Sequence, residues 1–435
     1  MTNATLVCTC LLLAISAAVP AADPKDGLDD AFAAIEPKVI EWRRDIHENP
    51  ELSNREFRTA EKVANHLRGL GFDKVETGIA HTGVVGTLIG DKPGPVIALR
   101  ADMDALPVLE QTGLPFASKV RGEYKGQDVP VMHACGHDNH VAMLMGAAEV
   151  LATNRDRLAG TVVFVFQPAE EGPPGDEEGG ASMMIKEGLL SGPDAPEAIL
   201  GLHVWPTETG TLSYRAGGFM AAADDLQINV TGRQTHGSSP WLGVDPIYVS
   251  AQIMTAIQAI PSRQLDITRG PAVITIGSIH GGIRGNIIPD EVEMSGTIRT
   301  FDMGVREQLH AALRSTVANI AQASGATATV TIGPSVPVTS NHPVLLGDML
   351  PTLRWAAGED KVIETALITG AEDFSYYQEH VPGLFLMLGV NDPGVPAGQA
   401  ASNHSPMFNA NETALITGVR ALVGFSLDYA AATAQ

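Results

Sequence analysis

Apolar residues near the start of the chain recur at helical spacing. One such segment covers residues 29–46, and a second covers residues 57–70 and stops at Gly71. Side chains three and four positions apart lie on the same face of a helix, and glycine commonly ends one. The pattern therefore predicts two amphipathic helices ahead of the first strand.

Four later runs consist largely of strand-forming apolar residues bounded by glycine or proline. They cover residues 83–89, 95–100, 161–166 and 198–204, and helical patterns at 141–151 and 181–187 separate the later runs. A long polar connection joins the second run to Met132. Buried strands that alternate with helices are typical of an α/β fold with a largely parallel sheet.

The order of the elements changes between residues 217 and 334. The pattern there predicts strand 226–230, helix 246–260, strands 272–279 and 291–299, helix 305–323 and strand 328–332. This βαββαβ order is that of a ferredoxin-like α+β unit. A helix at 345–356, a strand at 383–388 and a closing helix at 412–427 then resume the first pattern. We predict an α/β domain of residues 23–216 and 335–435, with a central sheet flanked by helices, and an inserted domain of residues 217–334.

The composition narrows the classes of function. The chain has 435 residues, 44% of them hydrophobic and 18% charged, and 28 Lys and Arg stand against 50 Asp and Glu. This length suits two or three folding units with a substantial core. The net charge of −22 would repel phosphate backbones and anionic lipids, and the chain contains no Gly-x-x-x-x-Gly-Lys-Ser/Thr phosphate loop. We therefore expect no nucleic-acid partner.

Residues 1–22 have features of a signal peptide. An apolar stretch at 6–19 is too short to span a bilayer, and small residues suited to cleavage follow it, although no Lys or Arg precedes it. The alternative is an apolar terminus of a cytosolic protein. We predict a secreted or periplasmic protein without a membrane partner after cleavage, because no other apolar run approaches the roughly 20 residues that a membrane helix needs. The mature chain would keep only Cys135, since Cys8 and Cys10 lie in the removed segment.

One short segment concentrates potential metal ligands. It reads His133-Ala-Cys-Gly-His-Asp-Asn-His140 and lies just ahead of the helix predicted at 141–151. A thiolate and imidazoles together select a transition metal. Cys135 and His137 are spaced to face one site, and a metal would protect the thiolate from oxidation. The alternative is a structural cysteine among surface histidines, and further ligands must decide between the two.

Paired carboxylates, Glu170 and Glu171, follow the strand predicted at 161–166. Open α/β sheets place their sites at the carboxyl ends of the strands. One carboxylate of such a pair can bind a metal, while its neighbour takes a proton from water as general base. A solvated acidic loop would look similar, because Asp176, Glu177 and Glu178 follow closely.

Two isolated histidines and two aspartates also lie at the ends of predicted strands or in a loop. His203 lies at the end of the strand predicted at 198–204, and His404 lies in a loop before the last helix. A single histidine is more often a core or surface residue than a ligand, but these positions can converge with the strand ends above. Asp102 and Asp104 follow the strand predicted at 95–100, where they would either support the histidines or form a solvated turn.

Seven motifs occur in an order that resembles the hippurate hydrolase and N-acyl-amino-acid amidohydrolase family, di-metal peptidases related to the aminoacylases and zinc carboxypeptidases. They are Arg100-Ala-Asp-Met-Asp-Ala-Leu-Pro, His133-Ala-Cys-Gly-His-Asp, Phe166-Gln-Pro-Ala-Glu-Glu-Gly, Gly201-Leu-His-Val, Gly232-Arg-Gln-Thr-His-Gly-Ser-Ser-Pro, Gly285-Asn-Ile-Ile-Pro and Gly370-Ala-Glu-Asp-Phe. The resemblance extends from about residue 35 to about residue 427. It implies a di-metal catalytic domain and an inserted domain that serves as lid and dimerisation surface.

The resemblance also implies a metal-binding set on the matching positions. Cys135 would bridge two divalent metal ions, and Glu170 would be the general base. The other ligands would be His137, Glu171, His203 and His404. Zinc suits thiolate and imidazole well, and such a site also accepts manganese, cobalt or nickel.

Three residues of the inserted domain match substrate-binding or catalytic positions of the family. His236 would reach the active site of a partner subunit and stabilise the oxyanion. Asn286 and Arg299 would hold the substrate carboxylate. The structural alternatives are that His236 caps a turn, that Asn286 holds a bend and that Arg299 pairs with a surface acid.

These inferences together predict a homodimeric, metal-dependent amidohydrolase that splits an N-acyl-amino acid, hippurate-like or N-acetyl, into acid and amine. Water held between the metals would attack once Glu170 takes its proton, and Glu170 would pass that proton to the leaving nitrogen. One alternative is a carboxypeptidase or dipeptidase acting on short peptides. Another is a catalytically silent metal-binding or peptide-binding protein that keeps the scaffold.

Overall fold

A computed structural model describes residues 23–396 and 398–432 of the chain. The predicted signal peptide, residues 1–22, lies outside the described residues. Export to the periplasm or medium therefore stays a prediction.

The first part of the chain alternates helices and strands, and two helices precede the first strand. The helices are α1 (Asp29–Glu48), α2 (Phe57–Gly69), α3 (His137–Thr153) and α4 (Gly180–Lys186). The strands are β1 (Lys74–Ile79), β2 (Gly83–Ile89), β3 (Lys92–Asp102), β4 (Arg121–Tyr124), β5 (Gln127–Pro130), β6 (Ala159–Gln167), β7 (Ile199–Glu208), β8 (Leu212–Tyr214) and β9 (Gly217–Met220). The polar connection before Met132 contains the hairpin β4–β5, which the sequence did not predict because none of its residues is buried.

The middle of the chain forms a second α+β unit. Its strands are β10 (Ala222–Thr231), β11 (Thr235–His236), β12 (Ala272–Gly281), β13 (Ile287–Ile288), β14 (Glu291–Thr300) and β15 (Thr327–Val336). Its helices are α5 (Pro246–Ile257), α6 (Ile260–Arg263) and α7 (Met303–Ala323). The helix predicted at 246–260 is thus shorter, and a new one begins with Pro261 in its first turn, where proline is tolerated.

The chain then returns to the first unit. The remaining elements are β16 (Thr339–Asn341), α8 (Pro343–Ala357), β17 (Val362–Glu364), α9 (Ser375–Gln378), β18 (Gly383–Asn391) and α10 (Leu415–Ala432). Helix α10 and the turn before it, Glu412–Ala432, form the one described segment long and apolar enough to cross a membrane. Its apolar window is 67% buried inside the protein, as in the core helix of a globular domain.

The large sheet has eight strands in the order β1-β2-β6-β3-β7-β18-β8-β17. The central neighbours β6, β3, β7 and β18 are parallel, whereas β1, β2 and β8 join the sheet by antiparallel pairing. Helices α1, α3, α8 and α10 share one hydrophobic core with this sheet, and α4 and α9 belong to a smaller core. The predicted α/β class with a largely parallel, helix-flanked sheet is confirmed.

The second sheet has the order β12-β14-β10-β15 and is antiparallel throughout. Helices α5 and α7 share its core, in which Ile228, Val249, Ile253, Leu309 and Leu313 are buried. This is a βαββαβ unit with a core of its own, in the element order that the sequence predicted. The division of the chain into domains at residues 217 and 334 stays a prediction.

Candidate metal centre

The site forms where the carboxyl ends of the parallel strands meet. Asp102 ends β3, Glu170 and Glu171 follow β6 after a short turn, and His203 lies within β7. Because these strands are parallel neighbours, their carboxyl ends share one edge of the sheet. The fold therefore brings these side chains to one place.

Cys135 lies at the centre of the cluster. Its Sγ is 3.3 Å from Nε2 of His203 and 3.3 Å from Nε2 of His404. Nε2 of His404 also lies 2.9 Å from Oε1 of Glu171. The backbone N–H of His404 donates to the Ala134 carbonyl at 2.8 Å, which ties the His404 loop to the cysteine segment.

His137 and Glu170 complete the cluster. Nε2 of His137 lies 3.8 Å from Oε2 of Glu170. Five sets of potential ligand atoms among the described residues each lie within 4.8 Å of one another, and three of them consist of predicted site residues: Cys135, His137 and His203; Cys135, Glu171 and His404; and His137, Glu170 and Glu171. Cys135 belongs to two of these sets, so its position suits a ligand that bridges two cations.

Hydrogen bonds fix which nitrogen of each imidazole faces the cluster. Nδ1 of His203 donates to the Val204 carbonyl at 2.8 Å, and Nδ1 of His137 lies 3.2 Å from Oδ1 of Asp104. Nε2 of His137 is buried and has no hydrogen-bond partner among the described residues. Metal-binding histidines are oriented in this way, with one nitrogen held by an oxygen and the other free. The sulfur, nitrogen and oxygen donors therefore fit transition-metal ions.

His140 is not free to bind a metal, although it belongs to the same segment. Its Nδ1 lies 2.5 Å from Oδ1 of Asp102, and its Nε2 accepts the N–H of Val204 at 2.8 Å. Asp102 and Asp104 are both buried and both contact histidines. The alternative of a solvated turn at these aspartates is therefore wrong.

Negative charge accumulates around the donors. Burial, followed by the nearby carboxylates of Glu372 and Glu171, raises the pKa of the Glu170 carboxyl well above its ordinary value. Burial and the carboxylates of Glu171 and Glu170 likewise raise the pKa of the Cys135 thiol. Divalent cations would counter both effects, because a nearby positive charge favours the ionised form of an acid.

Arg100 supplies positive charge behind the cluster. Its buried guanidinium donates to Asp102 at 2.6 Å and to Glu372 and Asp373 at 2.9 Å each, and its Nε donates to Gln167 at 2.9 Å. Burial alone would lower the pKa of Arg100, but the acids around it hold that pKa well above its usual range. The guanidinium thus joins the ends of β3 and β6 to the segment before α9.

A cleft of about 520 Å³ opens beside the cluster. Glu170 and Arg299 both line it, and Met183, Tyr376 and Val336 form part of its wall. Arg299 comes from β14 of the second sheet, so the cleft lies between the two units. A cleft of this size is typical of small-molecule sites.

His236 and Asn286 lie apart from the cluster of their own chain. His236 lies in β11, and Asn286 directly precedes β13, the strand that pairs with β11. The N–H of Gly237 donates to the Asn286 carbonyl at 2.8 Å. Both residues are exposed, and neither lines the cleft. Nδ1 of His236 contacts the hydroxyl of Ser238 at 2.8 Å.

Three buried acids next to the site were not predicted as functional residues. Glu372 and Asp373 lie in the motif Gly370-Ala-Glu-Asp-Phe, which marked their importance but not their partner Arg100. Glu56 lies in the turn between α1 and α2, where neither periodicity nor motif singled it out. Only the folded chain shows that its carboxylate reaches the turn that carries Glu170.

The model of the peptidase family M20/M25/M40 matches residues 98–428. The chain belongs to this family. The thermostable carboxypeptidase 2 of Saccharolobus solfataricus is 42% identical over 402 residues, which cover 92% of this chain and 97% of that protein. The N-acetyl-L-cysteine deacetylase of Bacillus subtilis is 38% identical over 388 residues, with coverage of 88% and 86%.

A solved structure gives the same assignment. The Bacillus subtilis protein YXEP, described as a dinuclear metal binding peptidase from the M20 family, matches with a TM-score of 0.77 and 34% identity, covering 92% of this chain and 99% of that one. The predicted membership in a family of di-metal amidohydrolases and peptidases is confirmed, and this M20 protein is a metal-dependent amidohydrolase or peptidase. Because its relatives include both a carboxypeptidase and a deacetylase, family membership alone leaves the substrate class open.

Proposed function

We propose that this M20 protein hydrolyses the amide bond of N-acyl-amino acids, hippurate-like or N-acetyl. The observation that carries this proposal is that Glu170 and Arg299 line the same cleft. A guanidinium can hold a carboxylate through two parallel hydrogen bonds. A substrate with a free carboxylate at Arg299 would therefore extend its amide toward the donor cluster.

The proposed ligands of two metal ions are five residues from four segments of the chain, with Cys135 as the bridge. The remaining ligands are His137, Glu171, His203 and His404. When bound, divalent cations supply Lewis acidity, which polarises a carbonyl and makes water easier to deprotonate. We propose zinc for its fit to thiolate and imidazole, with manganese, cobalt and nickel as the other metals that elemental analysis of the purified protein would distinguish.

Glu170 moves the proton in this proposal. Its carboxylate takes a proton from the attacking water, and the protonated side chain then gives that proton to the leaving nitrogen. The breakdown of the tetrahedral intermediate thus releases a neutral amine rather than an amide anion. Arg299 holds the substrate carboxylate in place while the bond breaks, together with an Asn286 that a second copy of the chain would bring to the cleft.

The second candidate is a carboxypeptidase that acts on short peptides. The relative named thermostable carboxypeptidase 2 favours it, and a peptide also carries the free carboxylate that Arg299 would bind. The two candidates differ in the group on the other side of the amide. A panel of N-benzoyl-amino acids, N-acetyl-amino acids, dipeptides and longer peptides, ranked by kcat/KM, separates them.

We expect the metal-loaded protein to hydrolyse the N-acyl panel and chelation to abolish that activity, with recovery on adding a divalent metal. Glu170→Gln should lower kcat by about 10²–10⁴-fold, the usual worth of general acid-base catalysis, with unchanged metal content. Arg299→Ala should mainly raise KM, and Arg299→Lys should recover part of the loss. Near wild-type turnover by folded, metal-loaded Glu170→Gln would contradict the proposed base.

A further inference from the structure

Residues 168–171, the turn after β6 that carries Glu170 and Glu171, are called the catalytic turn. Three consecutive backbone N–H groups of this turn donate to two buried carboxylates. The N–H of Ala169 donates to Oε1 of Glu56 at 2.9 Å. The N–H groups of Glu170 and Glu171 donate to Oδ1 and Oδ2 of Asp104 at 3.1 and 3.0 Å. Successive N–H groups arranged in this way form a concave anion-binding surface, here filled by side chains of the protein itself.

Glu56 is fully buried and reaches the turn from outside the sheet. It lies just ahead of α2, far from residue 169 along the chain. Its Oε1 also accepts the N–H of Asn54 at 3.0 Å, and its Oε2 accepts the hydroxyl of Thr82. The carboxylate is therefore fixed from three sides, so it can hold the turn in one position.

The backbone of the turn needs such support. Ala169 has φ of +54°, in the left-handed region that L-residues other than glycine avoid. That conformation is strained for an alanine and persists only when surrounding contacts impose it. Among the described residues, the hydrogen bond to Glu56 is the contact that holds the N–H of Ala169, directly before Glu170.

We propose that Glu56 is a positioning residue, which sets the orientation of the turn carrying Glu170 and Glu171 by binding the N–H of Ala169. Its effect on turnover rests on the proposed function of Glu170, whereas its effect on the turn does not. Displacing a general base by a fraction of its hydrogen-bond length removes much of its contribution. Residues that orient metal ligands through hydrogen bonds commonly contribute about 10–100-fold in metal affinity or in activity.

The proposal makes opposite predictions for two substitutions of similar size. Glu56→Met fills the same space but offers no acceptor to the Ala169 N–H. Glu56→Gln keeps an acceptor oxygen for that N–H, and its amide can donate to the Thr82 hydroxyl. Glu56→Gln therefore preserves the size of the side chain and the acceptor that the Ala169 N–H requires, whereas Glu56→Met preserves only the size.

Hydrogen exchange measured by mass spectrometry tests the turn directly, in the full-length metal-loaded protein. In Glu56→Met, peptides covering residues 169–171 should exchange at least several-fold faster, and kcat on an N-acyl substrate should fall about 10–100-fold with a small change in KM. In Glu56→Gln, exchange and kcat should stay within about threefold of the wild-type values. Should Glu56→Met not fold, Glu56→Asp, whose carboxylate is one methylene too short, should show the same losses.

Glu51→Ala is the matched control from the same segment. The Glu51 carboxylate accepts the N–H groups of Arg58 and Thr59 at 2.9 and 2.8 Å and does not contact the catalytic turn. Its loss should lower the melting temperature without changing exchange at 169–171 or kcat. Wild-type exchange at 169–171 in Glu56→Met or Glu56→Asp would overturn the proposal. Faster exchange in a protein whose wild type hydrolyses no N-acyl substrate would instead sink the proposed function and leave the positioning role standing.

Discussion

Buried charges near the site are balanced by individual side chains. Arg43 lies 2.8 Å from Asp138, the residue after His137, and both are buried. His47 lies 2.9 Å from the same carboxylate and 3.2 Å from Glu110. Removing one member of such a set leaves a buried charge without a partner. The free-energy cost of that unpaired charge is much larger than the stabilisation that the intact set provides.

His47 gives this arrangement a measurable pH dependence. Burial alone would lower the pKa of His47, but the Asp138 and Glu110 carboxylates outweigh burial and the repulsion from Arg43 and hold that pKa above its ordinary value. A histidine whose pKa is raised by folding stabilises the protein below the unfolded pKa, near 6.5, and this contribution is lost as pH rises through the folded pKa.

We therefore expect the stability difference between wild type and His47→Gln to shrink from pH 6 to pH 9, by about 1.4 kcal/mol for each unit by which folding raises the pKa of His47. Urea unfolding at fixed salt and metal concentration measures this difference at each pH. With Glu110→Gln introduced into both proteins, the dependence should be weaker, because one of the two carboxylates is gone. A difference that is constant or grows with pH would contradict the assignment.

At the scale of elements, one glycine directly before α3 determines how the two potential metal ligands on either side of it are placed. Gly136 has φ of +98° directly before α3, between Cys135 and His137. A Cβ at this position would lie 2.4 Å from Cγ2 of Val204 in β7. Both the backbone conformation and the close approach of β7 therefore require glycine here.

Gly136→Ala should consequently affect the metal centre as well as the fold. The backbone strain costs about 1–2 kcal/mol, and the contact with Val204 adds to it. We expect a lower melting temperature and weaker retention of metal on dialysis against a mild chelator. Gly113→Ala is the control, because Gly113 has φ of +72° with no atom within 4 Å of the added Cβ. Equal metal retention in both variants would show that the glycine does not place the donors.

The helices and strands that bury an apolar face could be predicted, because the spacing of their apolar residues is visible in the sequence. The buried strands β3, β6 and β7 are nearly continuous in apolar residues, and α2 and α7 follow helical spacing. The hairpin β4–β5 was not predicted because it buries no face. The Arg100 network joins residues up to 273 positions apart, and only the fold brings such pairs together.

The candidate site was predictable in its donors and in the aspartates Asp102 and Asp104 that contact the histidines, but not in the support from Glu56. Cys135, His137 and Glu170 lie in dense local motifs, and strand ends indicated where they would meet. The support from Glu56 depends on a backbone N–H, which no residue type reveals. A backbone N–H that donates to a distant carboxylate carries no sequence signature on the donating turn, so only the folded chain reveals this part of the site.

At the scale of the whole molecule, large apolar residues are exposed in the segments next to β13 and to β11, the strand that carries His236. Ile283 is 99% exposed, Trp241 is 76% exposed and Leu242 is 64% exposed, and these residues lie in the segments that flank β11 and β13. A concentration of exposed large apolar side chains is typical of a protein interface. We propose that a second copy of the chain covers this surface and receives His236 and Asn286 at its own cleft.

Subunit complementation distinguishes this arrangement from a site built within one chain. His236→Ala and Glu170→Gln, each nearly inactive as a homodimer, would be co-expressed with different tags, and the heterodimer isolated by two affinity steps. If His236 acts across the interface, the subunit that keeps Glu170 receives an intact His236 from its partner. The heterodimer should then have about half the activity of the wild-type dimer, because one of its two symmetric sites is whole. If His236 acts within its own chain, both sites lack one group, and activity should stay at the level of the inactive homodimers. A monomer on size-exclusion chromatography with full activity would exclude a contribution from a partner altogether.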